Sequence, residues 1–196
     1  MGSMRFMYLL PFHPNEGLIE YTLFSETLLS DKEYEMGLKS YIEGVLGIRD
    51  YVVIETESGV IPMTDHPFKR RLGERVLSIG TAGGLVKPSS GYAFLRILKD
   101  TEQIINSFKK HGHPFDITPP LWQYRLFDRT MLNVMKNHGS QMERIFSQLF
   151  KNNPIDRIFN FLDEADPLSR NLLLLLSIDP VPFLAALARV YLFRKT

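Results

Sequence analysis

Residues 77–98 read LSIGTAGGLVKPSSGYAFLRIL. An apolar run, Val76–Ile79, breaks into glycines at Gly80, Gly83 and Gly84. A Pro88-Ser89-Ser90-Gly91 turn follows, and helical spacing resumes beyond it. This order predicts a strand over 76–79 and a helix over 91–110 that His111-Gly112-His113-Pro114 terminates. Strand, glycine loop and helix start is an arrangement in which backbone N–H groups hold a phosphate. The spacing is not the G-x-G-x-x-G of a dinucleotide fold. Two readings stand side by side. One is a phosphate-contacting loop, with Ser89, Ser90 and Gly91 offering N–H groups and hydroxyls to an anion; the other is a tight structural turn.

Upstream, Arg5–Leu10 is a short apolar run that Pro11 should end, and His13-Pro14-Asn15-Glu16-Gly17 is a turn cluster. Gly17–Phe24 (GLIEYTLF) reads as a second strand, so the pair predicts an antiparallel hairpin. Alternation places Leu18, Glu20, Thr22 and Phe24 on one face and Ile19, Tyr21 and Leu23 on the other. Ser30 with Glu33 matches a capping box. The helix it opens should carry Tyr34, Leu38, Tyr41, Ile42 and Val45 on one face and close at Gly47. Asp50–Glu57 reads as a further strand and Val60–Met63 as a short extended piece.

Downstream of Pro119 the pattern is helical throughout, in LWQYRLFDRTMLNVMKNH, QMERIFSQLF and PIDRIFNFL. The last apolar stretch, Leu172–Phe193, approaches the length of a membrane span, but Asp179, Pro180, Pro182 and Arg189 interrupt it. The prolines should split it into helices near 168–177 and 181–192. It reads as a packed helical pair, a contact with the bilayer surface, or a span. Strands with helices over 5–115, then helix alone over 116–196, argue an α+β class.

Composition narrows the function classes. Net charge is +1 and Cys is 0. No global field favours nucleic acid, and disulfide, thiolate-metal and cysteine-nucleophile chemistry are excluded. A cytoplasmic setting is the natural expectation. Met1-Gly2-Ser3-Met4 reads as a leader added ahead of Arg5. No metal site is expected, because the five histidines are scattered or flank a helix end. Asp163-Glu164-Ala165-Asp166 spells a helicase string without any G-x-x-x-x-G-K-[ST], so it reads as loop and cap chemistry. Asp128 and Asp156 read as surface partners of neighbouring arginines, and Lys69-Arg70-Arg71 as a short basic turn. Glu20 is either an exposed strand residue or a carboxylic acid in an apolar cleft suited to proton donation.

Three segments in order, RFMYLLPFHPNEGLIEYTLFS, GVIPMTDHPF and IGTAGGLVKPSSGYAFLRIL, resemble the flavin-dependent lycopene cyclases. That family carries a glutamate-bearing strand, an I-P-M segment and G-T-A-G-x-x-x-P-S-[ST]-G-Y. The downstream YRLFDRTML, IFSQLFKNNP and FNFLDEAD resemble the tail of its bacterial members. The resemblance implies part of an FAD-dependent, two-lobed flavoprotein fold. Gly80, Thr81, Ala82 and Gly83 would approach the flavin and its phosphates, and Pro88, Ser89, Ser90, Gly91 and Tyr92 would shape the following helix start. Glu20 would protonate the end of a linear carotenoid such as lycopene, giving β-ionone rings. The cofactor implied is reduced FAD, with NAD(P)H as reductant.

Tyr21 stands where many members have an acidic residue, and no G-x-G-x-x-G precedes residue 80. The resemblance therefore covers the C-terminal portion of a cyclase. The expectation is a fragment, or one partner of a split enzyme, lacking its N-terminal dinucleotide-binding segment and nearly inactive alone. Exposed apolar surface and homo-oligomers should follow, and peripheral contact with the inner face of the membrane becomes an expectation. Rival readings are a non-catalytic carotenoid- or lipid-binding module and a flavin monooxygenase-type hydroxylase. Against the latter, Thr81 replaces the aspartate that such enzymes usually carry.

Overall fold

A computed structural model describes residues 4–192. Met1–Ser3 of the expected leader and Phe193 of the last apolar stretch lie outside it, whereas Met4 belongs to the first strand. The class is α+β. The chain divides between Gly59 and Val60 into two compact units.

In the first unit, β1 (Met4–His13) and β2 (Glu16–Phe24) form the expected antiparallel hairpin. β1 runs past Pro11, with a register irregularity between Pro11 and His13. Both strands of a two-stranded sheet are edges, so a residue without an N–H does not end the pairing. α1 (Asp31–Ser40) starts where the capping residues predicted. The N–H and hydroxyl of Ser30 donate to Glu33 Oε2 at 2.8 and 2.7 Å.

α1 continues into a π-helical turn, Tyr41–Val45, in which the Leu46 N–H reaches Tyr41 O. The wider turn carries Val45 off the apolar face, and it is exposed, while Tyr34, Leu38, Tyr41 and Ile42 remain half-buried. Gly47, in the left-handed region, follows. The expected strand over 50–57 is absent: the segment has no pairing partner, and Val52 and Ile54 are 85% and 80% exposed. Branched residues favour a strand only where a neighbouring strand can pair with them.

The Ser30 bonds hold the Glu33 carboxyl below its ordinary value of 4.5, the Ser30 backbone N–H first and its hydroxyl second. A carboxyl depressed in the folded state adds stability that is present above the unfolded value and is lost on acidification. The first-turn amides of α1 should therefore lose hydrogen-exchange protection as pH falls below about 4.5. In Glu33→Gln that pH dependence should disappear.

In the second unit, residues 76–79 form no strand and contribute only the isolated bridge Arg71↔Leu77. A 3-10 turn spans Gly80–Gly83, and α2 covers Phe94–His111, starting three residues later than expected. Gly112, left-handed, ends it. Five further helices follow: α3 (Trp122–His138), α4 (Met142–Asn152), α5 (Ile155–Leu162), α6 (Leu168–Leu175) and α7 (Val181–Leu192). α3 packs along α7, α4 neighbours α5, and α5 neighbours α6. Their inward residues, among them Tyr124, Val134, Met142, Ile145, Ile158, Leu174 and Ala186, make the core. The prolines split the last apolar stretch as predicted, and no described helix is long and apolar enough to cross a membrane.

The compact division thus falls at 59/60, and the last described strand, β2, ends at Phe24, so the chain is helix and loop well before 116. The reason lies in the loop after the glycines, which is fastened to the helices by buried charge.

Candidate functional site

In the hairpin, register assigns the two faces. Met4↔Phe24, Phe6↔Thr22, Tyr8↔Glu20 and Leu10↔Leu18 share one; Arg5↔Leu23, Met7↔Tyr21 and Leu9↔Ile19 share the other. The Tyr21 ring lies against α1 at Gly37 and packs edge-on with Tyr34 at 5.8 Å. α1 therefore covers the Tyr21 face and leaves the Glu20 face without a helix of this unit upon it. That face is apolar and aromatic: Phe6 meets Tyr8 and Phe24 edge-on at 5.1 and 5.4 Å. Glu20 is the one ionisable carboxylate among these eight positions. It is exposed and accepts a 2.8 Å bond from the Thr22 hydroxyl. Of the two readings of Glu20, the structure places it as an exposed strand residue.

In the second unit, the glycine loop is a single 3-10 turn. The N–H of Gly84 bonds Thr81 O and that of Leu85 bonds Gly80 O. Gly84 has φ +75°, and a Cβ there would stand 2.7 Å from the Phe68 ring, so no other residue closes this turn without strain. Thr81 and Ala82 are exposed, and the space where a Gly80 Cβ would point is empty to 4 Å. In a 3-10 turn the N–H groups of the opening residues have no partner within it.

Residues 88–92 behave differently. Ser90 and Gly91 N–H groups donate to Lys87 O, the Lys87 N–H donates to Tyr92 O at 2.8 Å, and the Tyr92 N–H donates to Ser90 Oγ. The Ser89 hydroxyl donates to Asp128 Oδ1 at 2.5 Å. These donors are engaged by the fold itself. Pro88–Tyr92 form a closed turn, with Tyr92 exposed at its end.

Beneath the turn lies a charge cluster that local sequence reasoning missed. Lys87 and Asp128 are each 3% exposed. Lys87 Nζ stands 2.7 Å from Glu164 Oε1 and 3.3 Å from Asp128 Oδ1. It also lies 5.6 Å from the Tyr124 ring centre. Arg96 approaches Glu164 at 3.8 Å and donates to Val86 O. Asp128 is thus no surface partner of Arg129, which instead bonds Asp65 at 2.6 Å. The available signal was its place four residues after Tyr124, on the inward side of α3. Asp156 is likewise not paired with Arg157, whose guanidinium meets Asn153.

Residues 163–166 do serve as loop and cap. Asp163, Glu164 and Ala165 N–H groups close α5, and Asp166 O accepts from the Tyr124 hydroxyl and the Asn171 amide. Glu164 reaches Lys87 from a left-handed backbone, φ 58°. In the basic turn, Arg70 clasps Asp100 through two bonds of 2.9 and 2.8 Å, and Arg71 lies 4.0 Å over Phe115. His111 bonds Asp116 and stacks on His113.

Comparison with known proteins gives a consistent picture. The family model described as lycopene cyclase protein matches residues 1–188. The chain is similar to a chloroplastic neoxanthin synthase of Solanum tuberosum, 38% identical over 92 residues. That match covers 46% of this chain and 18% of the relative, so the chain corresponds to a small part of that protein's length. No solved structure matches. With its matched residues running through both units, the chain belongs to the lycopene cyclase family.

Proposed function

We propose that this chain is the acid-bearing, flavin-proximal portion of a carotenoid cyclase acting on lycopene or a related linear carotenoid. The observation that carries the reading is Glu20: one exposed carboxyl group in the middle of an apolar and aromatic sheet face, in a member of this family. Protonating an alkene needs a neutral carboxylic acid, and a carboxyl group surrounded by hydrocarbon holds its proton. A carotenoid laid across Phe6, Tyr8, Leu18 and Phe24 supplies that hydrocarbon itself. Glu20 then gives its proton to the terminal double bond. The resulting carbocation is attacked by the next double bond, closing the ring. A ring proton then leaves to a base, and its return to the Glu20 carboxylate restores the acid, so product and substrate are isomers.

FAD fits the glycine loop. The open space at Gly80, the exposed Thr81 and Ala82, and the unshared N–H groups at the start of the turn suit a planar, anionic group approaching closely. When bound, reduced FAD, kept so by NAD(P)H, supplies negative charge to a developing carbocation. Gly80, Thr81, Ala82 and Gly83 contact it in this reading. Pro88, Ser89, Ser90, Gly91 and Tyr92 fix the loop's exit, anchored through Ser89 and Lys87. The ADP part of FAD is held by a separate dinucleotide-binding segment. The bilayer-resident substrate makes peripheral membrane contact through the last apolar stretch part of the proposal.

A flavin absorbance titration tests the division of labour. The chain alone should bind FAD weakly, and should bind it stoichiometrically once a dinucleotide-binding segment of the family is added. Tight stoichiometric binding by the chain alone would overturn it. A second reading, a carotenoid- or lipid-binding module, is favoured by the exposure of Glu20 and needs no proton transfer. It predicts carotenoid binding without ring closure.

A further inference from the structure

Two features meet at α5 and α6. The first is a half-open surface pocket of about 340 Å³ lined by Arg157, Asn160, Asp166, Arg170 and Leu173. The Arg157 guanidinium has one described partner, Asn153 at 3.3 Å, and that of Arg170 has one, Asp166 at 3.3 Å. A guanidinium carries five N–H donors, so most of them remain for a ligand. Two guanidinium charges against one carboxylate leave a single positive charge in the lining. That matches a phosphodiester, which carries a single negative charge.

The second feature is the outward side of α6. Asn171, Leu174 and Ile178 point inward and are buried, whereas Leu172, Leu173 and Leu176 are exposed, Leu176 by 75%. Leu173 belongs to both features, so hydrocarbon and guanidinium groups adjoin.

We propose that this side of α6 docks on the surface of an anionic phospholipid bilayer. Arg157 and Arg170 take the phosphodiester of one headgroup, and Leu172, Leu173 and Leu176 enter the acyl boundary beside it. A purely apolar protein partner would cover the leucines but offer the two guanidinium groups no acceptor beyond Asn153 and Asp166. A bilayer presents hydrocarbon and phosphodiester together. The proposal deepens the peripheral-contact reading and rests on it for the substrate's location, while its geometry stands on the two features above.

Vesicle flotation of the full chain tests it, with no carotenoid or flavin present, so that its outcome is separate from that of ring closure. The chain should float with vesicles of phosphatidylcholine plus phosphatidylglycerol, lose that association as salt rises, and stay behind with phosphatidylcholine alone. Arg157→Gln with Arg170→Gln should lower the partition by about 10- to 30-fold. Leu173→Gln with Leu176→Gln should abolish it at low salt too. Millimolar inorganic phosphate should leave flotation intact. Equal flotation on both vesicle types, or an arginine variant that binds like the parent, would overturn the proposal. Release by free phosphate would overturn it as well, making this a small-anion site. The salt dependence of the unsubstituted chain gives a readout that no folding defect can mimic.

Discussion

Glu20→Gln is expected to lower ring closure by roughly 10²–10⁴-fold, the usual range for loss of a general acid. The substitution keeps shape and polarity but removes the transferable proton. Thr22 can still bond the replacement, since the amide oxygen stands where Glu20 Oε1 accepts the Thr22 hydroxyl at 2.8 Å. The hairpin register does not depend on Glu20 either: its ladder is backbone to backbone, and its faces are set by Phe6, Tyr8, Phe24 and, on the α1 side, Tyr21. Carotenoid binding should therefore survive. The measurement is the yield of ring-bearing product in lycopene-containing cells that also supply a dinucleotide-binding segment, alongside carotenoid retention by the purified variant. Loss of both would point to a packing role for Glu20, and loss of neither to a module that transfers no proton.

The second large effect is on stability. Lys87→Met should destabilise the second unit by about 3–5 kcal/mol, because removing one member of a buried ion cluster strands the others. Asp128, 3% exposed, would keep only the Ser89 hydroxyl, and Glu164 would keep Arg96 at 3.8 Å. Methionine fills the volume of the lysine stem, so the effect reports on charge rather than on a cavity. Adding Asp128→Asn should recover part of the loss, since an amide is far less costly to bury than an unpaired carboxylate. Urea unfolding followed by circular dichroism gives both values. A Lys87→Met change of under 1 kcal/mol would contradict the view that this cluster fastens the loop to the helices.

These two residues show where sequence was and was not sufficient. The hairpin was legible because His13–Gly17 is a concentrated turn signal between two apolar runs. The start of α1 was legible from Ser30 and Glu33, and the break between α6 and α7 from Pro180 and Pro182. All are local. Residues 50–57 misled because strand propensity is realised only through a partner, and Val52–Ile54 have none. Val45 misled because a π-turn changes the period on which the face was counted.

Within the candidate site, Glu20's face followed from alternation, but which face α1 covers required the Tyr21–Tyr34 packing. The glycine loop was found by its composition. Its anchor was not, because Lys87, Asp128 and Glu164 are brought together across 77 residues of sequence between the outermost two. A lysine between Val86 and Pro88 gives no local sign that it will be buried.

The most direct test of the account is the carotenoid profile of lycopene-accumulating cells that express this chain with and without a dinucleotide-binding segment of the family. Acyclic carotenoid is expected when either is expressed alone, and a ring-bearing product of unchanged mass when both are present. Acyclic carotenoid alone in cells where both segments are folded and flavin is bound would contradict it.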